Sequence, residues 1–175
     1  MKSFTVILAA FIVAASSCTE PDIDDGFSSS NAETTFRLTD APFPYDRVSR
    51  VDVFVVRVEA SWAADTSAAA NADFTTVASV NRAIDLLSLE GGLSEVLGKD
   101  AVPKGAIKAV RLVIDTDKSS ITMKDGKVLT GSSTPGIAWQ SSAGIATLNA
   151  TVEDHIFVPD GGTDIVIDFD VGRAF

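Results

Sequence analysis

Two short stretches hold the carboxylates most open to a chemical reading. "LTDAPFPYD", residues 38–46, sets two prolines and two aromatics between Asp40 and Asp46. "DFD", residues 168–170, places Asp168 and Asp170 two apart near the C-terminus. A hard cation such as Ca2+ is held by oxygen ligands alone, and these four aspartates with backbone carbonyls are the candidate donors. No EF-hand or repeat-type spacing accompanies them, so calcium is the weaker reading. Asp168 and Asp170 also have the residue type of a glycosidase carboxylate pair. Two positions along one strand separate their Cα atoms by about 7 Å, and an acidic outer strand face is the simpler explanation. His155, the single histidine, has the type of a general base. No Gly-x-Ser-x-Gly elbow stands in the chain to serve it, and a lone loop histidine is ordinarily polar surface. Trp62 and Trp139 fall in loop-like segments. Exposed and paired, they would stack on sugar rings, although tryptophan mainly fills cores. Asn149 to Thr151, "NAT", matches a eukaryotic glycosylation sequon. With a single cysteine, Cys18, and a single histidine, a Cys/His zinc cluster and an intrachain disulfide are both excluded. The residues thus predict no catalytic constellation, no cofactor and no enzyme.

The elements around these residues read as strands and turns. Pro42 and Pro44 cannot donate to a ladder, so a strand must end at "LTDAPFPYD". Ala41 and Phe43 precede prolines and are driven to extended conformations. Asp40 suits an Asx-type turn, and Phe43 and Tyr45 suit a cover over one end of a core. "TTFRLTD" predicts a first strand, and Arg47 to Ala60, "RVSRVDVFVVRVEA", a long β-branched one. Ala83 to Leu89 is strand-like, whereas Leu93 to Lys99, "LSEVLGK", predicts one or two helical turns. After the turn "VPKG", Ala106 to Asp115 is again a strand, and "SITMKDGKVLT" is a hairpin turning at Asp125-Gly126. "GIATLNATV" and "TDIVIDFDV" complete the set, with "VPDGG" between them. In the last strand Ile165, Ile167, Phe169 and Val171 alternate with Asp164, Asp168 and Asp170, so one face goes to a core and the other to water. Ala60 to Asp73 is alanine-rich and reads as a variable surface loop. Short strands with turn signals and no alternation with long helices predict an all-β, antiparallel β-sandwich with one short helix, immunoglobulin-like or transthyretin-like.

The first residues point to a location. Lys2 supplies a positive charge, and Phe4 to Ala15 is apolar apart from Thr5, too short to span a bilayer. Length and flanks fit a secretory signal peptide over residues 1–17. It ends in "ASSC", which resembles a bacterial lipobox with Ala15 where leucine usually stands. Cys18 would then carry the lipid and become the mature N-terminus. Residues 18–33 follow as an acidic, serine-rich tether without hydrophobic periodicity. Thr19 in the second mature position resembles lipoproteins sorted to the outer membrane, periplasmic or surface face. The formal net charge of −10 disfavours nucleic acid as a partner. The membrane through the anchor, an envelope protein or a polysaccharide are the expected partners.

From residue 34 to 175 the chain reads as one domain. "LTDAP", "VDVFVVRVEA", "IDLLSL", "VPKGAIKAVRLVID" and "IVIDFDVGRAF" occur in an order that resembles the domain-of-unknown-function family 4382 of bacterial and archaeal envelope proteins. Ala106-Ile107 replace the aromatic that often follows the turn glycine there. The resemblance implies a lipid-anchored extracytoplasmic β-domain and carries no activity with it. The expected function is therefore a cell-envelope lipoprotein with a non-catalytic β-sandwich for binding or structure. A carbohydrate-binding surface lipoprotein is the first alternative, and a carboxylate-dependent hydrolase the second.

Overall fold

The structure, a computed structural model, describes residues 31–40, 46–63, 73–139, 144–150, 152 and 154–170. It is a sandwich of strands. In chain order these are β1 (Asn31–Asp40), β2 (Val48–Ser61), β3 (Thr75–Asp85), β4 (Glu95–Pro103), β5 (Gly105–Ile107), β6 (Ala109–Met123), β7 (Val128–Leu129), β8 (Ile145–Ala150), β9 (Ile156–Val158) and β10 (Thr163–Phe169). The first sheet has the order β10-β1-β4, and the second β3-β2-β6 with β7 and β8 both on the far edge of β6. β5 and β9 form a small ribbon beside them. Among the described residues all pairs are antiparallel except β1 with β10, which run parallel and set the first and last strands side by side.

The core follows from alternation. Phe36 and Leu38 of β1, Ile165, Ile167 and Phe169 of β10, and Val110, Leu112 and Ile114 of β6 are all buried. Asp164, Val166 and Asp168 lie on the exposed face of β10, as the sequence predicts. β2 is different. Val51, Val53 and Val55 point inward, and strict alternation would next bury Arg57 and Glu59 in the core. Instead the pairing of β2 with both β3 and β6 shifts register between Val55 and Arg57. One extra residue, Val56, reverses the phase. Val58 and Ala60 become the inward residues, each 0% exposed, and Arg57 and Glu59 move to the outer face. On β3 the same irregularity holds Asn81 at φ 49, a conformation asparagine tolerates better than most residues.

Two expectations are corrected. Leu93 to Lys99 is not helical; its residues from Glu95 onward belong to β4, which pairs with β1 from Asn31↔Pro103 to Leu38↔Glu95. The helical turn lies earlier, as a 3-10 turn at Leu86–Leu89 inside the stretch read as strand-like. Asp85 caps it by accepting from the Leu87 N–H, and Leu86 and Leu89 are buried beneath it. Pairing with β1 makes β4 a strand, and Gly98 accommodates its packing on the other sheet. A Cβ there would sit 3.0 Å from the Ala78 Cβ, so the glycine lets β4 pass close to β3. Thr75 to Arg82 and Ile156 to Val158 also form strands that the sequence reading does not contain.

Candidate functional site

The phase reversal in β2 creates the most elaborated surface of the domain. On the outer face of the second sheet Thr76, Glu59, Arg111 and Asn149 stand in one row across β3, β2, β6 and β8. Glu59 is buried although it faces outward, with 6% of its surface exposed. One carboxylate oxygen accepts from Arg57 Nε at 2.6 Å and the other from Arg111 Nε. Burial alone would raise the Glu59 pKa, but the hydrogen bonds from Arg57 and Arg111 outweigh it and hold the carboxyl below its ordinary value. The Arg111 guanidinium in turn lies over the ring of Phe74, 3.6 Å from its centroid.

Beside this row is a cavity of about 180 Å3. Phe74, Val110, Ala150 and Val152 supply apolar wall, and Lys108 and Asn149 supply polar wall. Phe74 both takes the Arg111 cation and lines the cavity, and Arg111 is not among the lining residues. The Lys108 backbone is fixed by its N–H donating to the Ser61 carbonyl at 2.8 Å. Among the described residues neither the Lys108 ammonium nor the Asn149 side-chain amide has a partner. The arrangement offers one rigid ring, one cation and one amide around a small concavity.

The residues singled out in the sequence do not assemble here. Asp40 is buried on the inward face of β1, in phase with Phe36 and Leu38. It is registered with Phe169 of β10, whereas Asp168 and Asp170 are exposed on the opposite face. Asp46 is exposed in the turn before β2. Three of the calcium candidates are thus divided between the two faces of the first sheet and Asp46 stands apart in the turn before β2, and no group of three metal-ligating side chains forms among the described residues. Residues 41–45, the proline-aromatic part of "LTDAPFPYD", lie outside the described residues. Asp168 and Asp170 line no part of the cavity. His155 Nδ1 contacts Asp154 Oδ2 at 2.7 Å, ahead of β9. Trp62 and Trp139 are half-buried against the core, and the indole nitrogen of each is shielded from water. Trp62 follows Ser61, which pairs with the start of β6 at Ala109; Trp139 lies in the loop after β7, which pairs near the end of β6. They form no common stacking platform. Cys18 lies outside the described residues.

Phe74, Lys108 and the Glu59 network escape a reading by motif, because β2–β3 and β6–β8 pairing collects them from four strands. One signal was available. The doubled valine Val55-Val56 breaks the alternation just before Arg57-x-Glu59, and Arg111 sits between inward Val110 and Leu112 as a cross-strand complement.

A β-sandwich with one 3-10 turn as the helical part among the described residues, carrying this row on its outer face, is an all-β module. The family model described as "Domain of unknown function (DUF4382)" matches residues 31–175, and the chain belongs to that family. No curated protein and no solved structure matches the chain.

Proposed function

We propose that the chain is a cell-envelope lipoprotein, anchored through Cys18, whose sandwich is a non-catalytic module for binding or structure. The observation that carries this reading is where the family match begins, at Asn31, thirteen residues after Cys18. The stretch between them is acidic and serine-rich, "TEPDIDDGFSSS". Polar, serine-rich linkers of that length span about 20 Å root-mean-square, enough to hold a domain just clear of lipid headgroups. The outer-membrane location, on its periplasmic or surface face, follows by resemblance from Thr19. The outer face of the second sheet supports binding over catalysis. It borders a cavity lined by Phe74, Lys108 and Asn149, and the carboxylate of its central row, Glu59, is engaged by two arginines.

Metabolic labelling with a fatty-acid analogue tests the anchor. Label is expected on the wild type and absent from Cys18→Ala. Label that survives Cys18→Ala, or a mature N-terminus elsewhere than Cys18, contradicts the reading.

The carbohydrate alternative has a specific observation in its favour, though not the tryptophans. Phe74 and Asn149 border one concavity, and aromatic-plus-amide pairs suit the two surfaces of a sugar ring.

A further inference from the structure

The cavity beside the Glu59 row also carries information about charge. The chain as a whole is at −10. Among the residues lining this cavity Lys108 is the one that carries a charge. Beside it Arg57 and Arg111 engage the buried acid Glu59, and the exposed Asp73 and Asp154 lie close in sequence to Phe74 and Val152. The two arginines are spent on Glu59, and Arg111 also on the Phe74 ring. Lys108 is the cation left over, and it lines the cavity. An unpaired ammonium beside an apolar wall is a site for one anionic group of point-charge type. A bidentate clamp on a planar anion would favour an arginine fork instead.

The other walls restrict what carries that anion. Phe74 is held by Arg111, which is held by Glu59, which is held again by Arg57. The ring is ordered before any ligand arrives, so little freedom is lost on binding. A flat preorganised ring favours the apolar face of a cyclic ligand. The Asn149 amide offers a donor and an acceptor together, which matches neighbouring hydroxyl groups. At about 180 Å3 the cavity is smaller than sites that engulf drug-sized ligands, which run to about 300–1,000 Å3. It takes a single ring rather than an extended molecule.

We infer that this cavity binds a carboxylate-bearing sugar ring, a uronic-acid unit of the kind found in acidic polysaccharides. Phe74 stacks on the ring, Asn149 bonds its hydroxyls and Lys108 pairs with its carboxylate. The inference rests on the binding-module reading but is tested separately from it, because acylation of Cys18 is measured without any sugar.

The experiment is saturation-transfer NMR on the full-length protein in detergent micelles. The probes are D-glucuronate and D-galacturonate, with D-glucose and D-galactose as neutral counterparts. Uronates are expected to bind about ten-fold more tightly than the neutral sugars, the worth of one charge-assisted hydrogen bond. Lys108→Gln should bring acidic and neutral sugars to parity. Phe74→Ala should remove binding of both, and Phe74→Leu, which keeps the apolar volume and the fold, should do the same. Equal affinity for charged and neutral sugars overturns the inference. So does a uronate preference that survives Lys108→Gln, binding unaffected by Phe74→Leu, or the absence of saturation transfer to any of the four sugars.

Discussion

The outer faces of the two sheets both carry charge, and they use it in opposite ways. On β10 the acids Asp164 and Asp168 project into water, and Asp164 meets the half-buried Arg37 of β1 at 3.1 Å. On β2 and β6 a single acid, Glu59, is buried between two arginines, one of which holds an aromatic ring. Hydrogen bonds lower the carboxyl pKa in both places. For Asp164 they come first from Arg37 and then from Thr35, with little burial to oppose them. For Glu59 they must overcome burial. The first arrangement is a solvated strand face that dissolves the domain. The second fixes geometry, and geometry is what a binding surface needs.

The largest way to break the comparison is through backbone rather than charge. If the β10 face owes its order to close packing, Gly162 at its start is the residue to change. It stands at φ 78, and a Cβ there would meet the Glu33 carbonyl oxygen at 1.7 Å. Gly162→Ala is expected to cost about 3 kcal/mol or more in urea unfolding, because both backbone conformation and space forbid it. Gly161→Ala is the control, since nothing lies within 4 Å of its Cβ position.

Arg111→Ala comes next. It leaves Glu59 buried with Arg57 alone and frees the Phe74 ring, at an expected cost of about 2 kcal/mol in the same measurement. The pH dependence sharpens the same point. A carboxyl whose folded pKa is depressed adds stability above its unfolded value, about 4.3 for glutamate. That stability is lost as pH falls through the lower folded value. Wild-type unfolding free energy should therefore decline on acidification from about pH 4, and Glu59→Gln should decline less. The smallest effect is expected on β10. Asp164→Asn should leave the urea midpoint at physiological salt unchanged, since an exposed ion pair is screened by water and salt. Asp168→Asn should be equally silent.

The same contrast explains what the sequence disclosed. β10 was legible because its alternation is unbroken from Ile165 to Phe169, and the hairpin at Asp125-Gly126 because its turn chemistry is local. β4 was misread because Leu93, Val96 and Leu97 carry a helical spacing, while the decision was made by pairing with β1 forty or more residues away in sequence. The first half of β3 was passed over because "TTVASVNR" has only two valines and many small polar residues, typical of an edge strand. The site was the least legible part. Phe74, Lys108, Arg111 and Asn149 become neighbours only through the register of β2, β3, β6 and β8, which is set by several shifts along β2, the one at Val56 among them. Aspartates and tryptophans attract attention by type; here the fold sets the tryptophans against its core and scatters the aspartates over both faces of the first sheet and the turn before β2.

The most direct test of the central claim, that the outer face of the second sheet is the built binding surface, is a backbone amide NMR titration of the isotopically labelled protein with D-glucuronate. Shifts are expected to concentrate at Phe74, Lys108, Arg111 and Asn149, with the amides of β10 and Trp139 unmoved. Shifts centred on Asp164 to Asp170, or around Trp62 and Trp139 with Phe74 silent, would contradict the account.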